Sequence, residues 1–177
     1  MSHRISNNLK GALGEIFTEN EFSDYKLIDI RLSFTNLPEI PKEPDWPENY
    51  NNLTEKEQNK FVKECDKIVR EQYRKLELIY GTGVLPDYFI KNSKFFLEVK
   101  TGKSAKLEKN QKEQFPKLLE KGFRIFIIKP KLLVEKFKFA LKEFECFEFT
   151  KTGNIKTTIP EIKKIIDMEQ RNAKKKT

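Results

Sequence analysis

The chain has 177 residues, enough for one domain with a sizeable core, and although 35% of its residues are charged, 15 Phe and 5 Tyr supply packing material. Its net charge of +8 favours a polyanionic partner, nucleic acid before an anionic membrane surface, although a lysine-rich composition is also a genome-wide habit. One histidine, His3, and two cysteines, Cys65 and Cys146, leave no basis for histidine catalysis, a disulfide framework or a zinc cluster, so chemistry falls to carboxylates, lysine and a metal.

Residues 5–22 read as a helix with an apolar stripe of Ile5, Leu9, Ala12, Leu13, Ile16 and Phe17. Glu15 lies at the margin of that stripe, either as a solvated flank or as a group turned toward a site. Gly11 and Gly14 beside it point to a close approach by backbone or ligand, since helix-interior glycines cost roughly 1 kcal/mol each. Residues 25–34 alternate as a half-buried strand, with Ile28, Ile30, Leu32 and Phe34 on one face and Asp29, Arg31 and Ser33 on the other. Pro38, Pro41, Pro44 and Pro47 make the following stretch a loop that Trp46 and Tyr50 pin to the surface. Thr54 and Glu57 form a capping box that opens a long helix to about Ile79, closed by Gly81. Residues 36–80 are therefore an insertion, whose helix covers the core by default.

Residues 82–104 form the centre of the chain. Two short strands rich in aromatic and β-branched residues meet at a turn on Asn92-Ser93. With a two-residue turn, Lys91 faces Lys94, Ile90 faces Phe95 and Asp87 faces Glu98. Opposed carboxylates repel, which a divalent cation would reverse, and hard ions such as Mg²⁺ take oxygen ligands. Lys100, two residues beyond Glu98, shares its face. The charges either simply meet water or converge as a site.

Ser104 is placed to cap a helix over about 105–121, closed by Gly122, with a kink or break expected near 113–115 ahead of Pro116. Gln111 lies on its apolar stripe, as a buried amide bonded to backbone or as a site residue reaching the hairpin. Residues 123–129 read as a strand buried on both faces and parallel to the second hairpin strand. The stretch 131–145 fits a helix better than a strand, although Phe137-Lys138-Phe139 is strand-like. A short last strand at 146–149, a turn at 151–154 and a helix from Pro160 to about Asn172 follow, with Lys174-Lys175-Lys176 as a disordered basic tail. The expected domain is 1–167, with the tail at 168–177.

Pro86-Asp87, ten residues, then Glu98-Val99-Lys100, on elements ordered helix, strand, hairpin, helix, strand, resembles the PD-(D/E)xK nuclease superfamily. The resemblance covers most of residues 8–130 outside the insertion, and Gly83–Asp87 with Asn110-Gln111 is similar to the archaeal Holliday-junction resolvases and VRR-type nucleases. It implies an α/β, mixed-sheet restriction-endonuclease-like core, αβββαβ, carrying a helical insertion. It also implies Mg²⁺ or Mn²⁺ held by Asp87, Glu98 and the Val99 carbonyl, with Glu15 reaching the metal directly or through water. Lys100 would activate the attacking water and Gln111 would orient Lys100 or a phosphate. The expected function is a metal-dependent DNA endonuclease, either structure-selective or of the repair, recombination, restriction or virus-defence kind. The alternatives are a non-catalytic DNA-binding module that kept the fold and a nuclease acting on RNA. A homodimer is expected where both strands of a duplex are cut. No apolar run approaches the roughly 20 residues a membrane span requires and no signal core opens the chain, so a cytoplasmic protein without a membrane partner is expected. High Lys, Glu and Ile with little Cys and Met is compatible with a thermophilic source.

Overall fold

The computed structural model describes residues 6–42, 44–102, 105–135 and 138–175. Ile5, Ser104, Phe137 and Lys176, used in the readings above, lie outside them. The described residues form a mixed α+β fold of four helices and one six-stranded sheet. The elements run α1 (Asn7–Glu21), β1 (Leu27–Asp29), α2 (Glu55–Tyr80), β2 (Tyr88–Ile90), β3 (Phe95–Val99), α3 (Lys109–Glu120), β4 (Arg124–Glu135), β5 (Lys138–Thr150), β6 (Gly153–Thr157) and α4 (Ile159–Lys174).

The strands lie side by side in chain order. Only β3 and β4, which are joined through α3, run parallel; every other neighbouring pair is antiparallel. Period-2 alternation divides the sheet's side chains between two cores. Phe89, Phe96, Ile125 and Ile127 pack on one face against Leu76 and Tyr80 of α2 and Phe115 and Leu118 of α3. Tyr88, Ile90, Phe95, Leu97, Phe126 and Ile128 pack on the other against Phe22 at the end of α1 and Ile162 and Ile166 of α4. Near-continuous apolar runs in β3 and β4 follow from this, since both of their faces are covered. Among the described residues, no helix is long and apolar enough to cross a membrane.

The capping box at Thr54 and Glu57 forms as expected, with Thr54 N–H donating to Glu57 Oε2 at 2.9 Å, and Gly81 closes α2 at a φ of 75°. Trp46, Tyr50 and Phe61 stack edge to face, fastening the proline-rich loop to α2. Six expectations need correction. The first strand has three residues rather than the length 25–34, because the chain turns after Ile30, whose N–H makes a last bond to the Asp87 carbonyl. Leu32 is consequently 82% exposed. The inner face of α1 is also rotated: Leu9 and Ile16 are exposed, while Gly14, Thr18 and Phe22 are buried. Gly14 is there because a Cβ would collide with the Thr101 side chain, whereas Gly11 has open space around it.

Helix α3 begins at Lys109 instead of about 105, and it passes through Pro116 without a break. Proline removes the bond to the carbonyl four residues back, and Lys112, which bears that carbonyl, is exposed to water. Within the stretch read as a helix over 131–145, residues 131–135 and 138–145 are instead the outer half of a long β4–β5 ribbon, with Leu132 opposite Leu141 and Val134 opposite Phe139. Apolar spacing there fits both periods, and pairing with a continuous partner strand decides between them. Strand β6 follows the turn at 151–152, and α4 continues to Lys174, through the first residues assigned to a tail.

Candidate active site

The hairpin turn sets the site. Asn92 adopts a left-handed φ of 59°, a conformation asparagine tolerates better than most residues. Ser93 Oγ donates to the Ile90 carbonyl at 2.7 Å and accepts the Phe95 N–H at 3.1 Å, closing the turn from both sides. The register is the expected one, with Tyr88 opposite Leu97 and Phe89 opposite Phe96. Carried one residue further, it puts Asp87 across from Glu98. The segment before Asp87 is tied to α3, where the Thr82 hydroxyl meets Gln114 Oε1 at 3.2 Å and also accepts the Val84 N–H at 3.0 Å.

Glu98 shares a face with Phe96 and points beneath α3, where it is only 1% exposed. Its Oε1 accepts from Gln111 Nε2 at 2.7 Å and pairs with Lys100 Nζ at 2.5 Å. Its Oε2 is buried and has no hydrogen-bond partner among the described residues. Such an orphan atom costs roughly 1–3 kcal/mol, more when charged. Burial, followed by the charge of Asp87, pushes the Glu98 carboxyl from 4.5 up to about 7, against the opposing pull of Lys100 and Gln111. Asp87 is also raised, chiefly by burial, while the Val99 N–H, Lys100 and Arg31 hold it down and Glu15 adds to the rise. The Val99 N–H donates to Asp87 Oδ2 at 2.7 Å, which aims the Asp87 carboxylate along the edge of β3.

Gln111 is half-buried; it bonds to backbone and also reaches the hairpin. Its Oε1 accepts the Glu108 N–H at 3.0 Å, completing the capping box of α3, and its Nε2 reaches Glu98. Asp87, Glu98, Lys100 and Gln111 are therefore brought together by β2, β3 and α3. Glu15 arrives differently. It projects from α1 and ion-pairs with Arg31, whose guanidinium also meets Asp29 at 2.5 Å and Glu19 at 3.2 Å. Arg31 lies 4.5 Å from the centre of the Tyr88 ring, and the Tyr88 hydroxyl donates to Glu19 Oε1 at 2.6 Å. Glu15 and Arg31 both act electrostatically on Asp87, so this cluster borders the site. The reading of the sequence missed Arg31. Its signal was the polar face of the alternating segment, where it follows Asp29 by two residues.

Asp87 and Glu98 are hard oxygen donors, and the unpartnered Oε2 of Glu98 fits a divalent cation or a metal-bound water. Among the described residues, no group of three or more His, Cys, Asp or Glu side chains gathers to hold a metal ion. An ion here would rest on two protein carboxylates and draw its remaining ligands from backbone, water or substrate, as Mg²⁺ sites commonly do. Compared with protein-family models, with curated proteins and with solved structures, the chain shows no significant match.

Proposed function

We propose that the protein is a metal-dependent DNA endonuclease of the PD-(D/E)xK, restriction-endonuclease-like type, hydrolysing phosphodiester bonds with Mg²⁺ or Mn²⁺. The observation that carries this reading is Glu98: a buried carboxylate with one oxygen held by Lys100 and Gln111 and the other left without a partner, in register with Asp87. Buried side-chain oxygens are mostly hydrogen-bonded. Gln72 Oε1 is the other one left without a partner among the described residues, but the Glu98 oxygen is the one that belongs to a carboxylate facing a second carboxylate, as a cation site requires. A divalent ion held by Asp87 and Glu98 would polarise the phosphate and lower the pKa of a bound water.

The chain's own residues then have distinct tasks. Lys100 carries an ammonium beside Glu98, where it can orient a water or meet charge developing on a phosphate oxygen. Gln111 fixes the rotamer of Glu98 through a helix cap that cannot shift without unravelling the first turn of α3. Val99 does the same for Asp87 through its N–H. Glu15, held by Arg31, adds negative charge at the border of the site, where a hydrated ion would feel it.

The test is a cleavage assay on labelled four-way junction, flap, duplex and single-stranded DNA, with and without Mg²⁺. Cleavage in Mg²⁺ that disappears in both Asp87→Ala and Glu98→Ala, with binding retained, is the expected result. Preference for the junction would assign a resolvase role and even cutting of duplex a repair or restriction role. Binding without cleavage of any substrate would replace this reading by a non-catalytic DNA-binding module.

A further inference from the structure

Two clefts open where β3 ends beside the middle of β4, and both are lined by Lys100 and Lys129. The larger, of about 840 Å³, adds Lys10 from α1 and Lys142 from β5. The smaller, of about 420 Å³, adds Lys106 from the segment before α3 and Lys112 from its first turn. Lys100 thus stands where the two meet, with ammonium groups on either side. Among the described residues, no carboxylate forms an ion pair with Lys10, Lys106, Lys112, Lys129 or Lys142. Two lysines of the lining are paired: Lys100 with Glu98, and Lys131 with Glu143 at 3.1 Å and Glu145 at 3.9 Å. Among the described residues, Glu145 is the one carboxylate lining either cleft.

A lysine-rich composition does not by itself account for this. The cleft along α2 is lined by four cations, Lys63, Lys67, Arg70 and Arg74, interleaved with three acids, Glu64, Asp66 and Glu71. Charge is balanced there and unbalanced where β3 ends. Gathered unpaired ammonium groups repel one another, and a polyanion that neutralised them would be bound favourably. One of these groups is also held in place, since Lys129 Nζ sits 5.4 Å from the centre of the Phe147 ring.

We propose that these two clefts form one track for a nucleic-acid backbone, gripping phosphates on both sides of the one presented to Lys100 and reading no bases. Lysine meets phosphate as a point charge, whereas base recognition takes forked Arg, Asn or Gln contacts or aromatic stacking. Among the described residues of the lining, Asn154 is the only amide side chain, and the one aromatic ring, Phe149, is packed against Phe115 at 5.8 Å. The proposal builds on the nuclease reading through Lys100, but its test measures binding and needs no turnover.

Fluorescence anisotropy in EDTA, over about 50–300 mM NaCl, is made on two unrelated 25-base-pair DNA duplexes and on RNA duplexes of the same sequences. Five unpaired lysines predict a slope of log K against log salt of about −4 to −5, equal for the two sequences. Lys112→Ala and Lys142→Ala, one from each cleft, should each weaken binding several-fold and reduce the slope by about 1. Lys67→Ala, in the balanced cleft, should change neither. Lysine-dependent binding of either duplex supports the track, and the tighter arm names the sugar. A slope untouched by the two substitutions overturns it, as does more than tenfold discrimination between sequences. So does lysine-dependent binding to phosphatidylserine vesicles without affinity for either nucleic acid. Tight lysine-dependent binding without cleavage in Mg²⁺ would sink the nuclease reading and leave the track standing. Cleavage with KM unmoved by the lysine substitutions would do the reverse.

Discussion

Replacing Glu98 with Gln removes a buried charge while keeping its shape, so the variant should be more stable than the parent, and only at high pH. The Glu98 carboxyl is raised from 4.5 to about 7 by burial and by Asp87. A raised acid binds its proton more tightly folded than unfolded, so its stabilising contribution is complete below about 4.5 and is lost as pH climbs through about 7. At about 1.4 kcal/mol for each pH unit, the loss approaches about 3 kcal/mol by pH 8. A Gln side chain is neutral throughout. Its carbonyl can still accept from Gln111 Nε2, and its NH₂ can occupy the orphan Oε2 position and turn toward Asp87. For a protein of this length about 3 kcal/mol corresponds to a rise in Tm of roughly 6–12 °C. Thermal unfolding in EDTA at pH 4.5 and pH 8 should therefore show Glu98→Gln level with the parent at the lower pH and well above it at the higher. Adding Mn²⁺ at pH 8 should close much of the gap, because an ion bound only to the folded parent stabilises it by mass action. Equal stability at pH 8, or a gain of the same size at both pH values, would refute the assignment of Glu98 as a strained, buried anion.

Gln111→Ala should lower turnover and also cost about 1 kcal/mol through loss of the α3 cap, whereas Gln111→Glu should keep the cap but replace the bond to Glu98 by repulsion between two carboxylates, so its loss of turnover and of Tm should deepen as pH rises; comparing the pH dependence of kcat and Tm for the two separates the roles. Gly14→Ala should destabilise by about 1–3 kcal/mol because its methyl would drive into Thr101, while Gly11→Ala, in open space within the same helix, should stabilise by about 0.5–1 kcal/mol; urea melts of the two variants would show opposite signs. Loss of Mg²⁺-dependent cleavage in Asp87→Ala and Glu98→Ala, with DNA binding intact, completes the set.

The hairpin was legible because its determinants are local. Two short strands, a turn at Asn92-Ser93 and a side-chain period of two are enough to place Asp87 opposite Glu98 and Lys100 on the same face. The caps of α2 were legible for the same reason: Thr54, Glu57 and Gly81 act within one turn of the helix ends. Gln111 was visible as a polar residue on an apolar stripe, but not its double use, since its second bond crosses to another element. The β4–β5 ribbon was misread because its apolar spacing suits a helix as well as a strand.

By itself, then, the sequence determined the element order as far as the first half of β4, the hairpin, and the placing of Asp87, Glu98 and Lys100 on it, because each follows from contacts between residues near in the chain. Tertiary structure alone decided the rest. It turned α1 so that Gly14 meets Thr101, cut β1 to three residues, and carried Arg31 across to Glu15, Glu19 and Asp29. It also buried Glu98 beneath α3 with one oxygen unpartnered and set unpaired lysines from α1, α3, β4 and β5 around Lys100. Burial and charge density are sums over elements distant in sequence, so no local pattern encodes them, and they are what distinguish a solvated pair of carboxylates from a site.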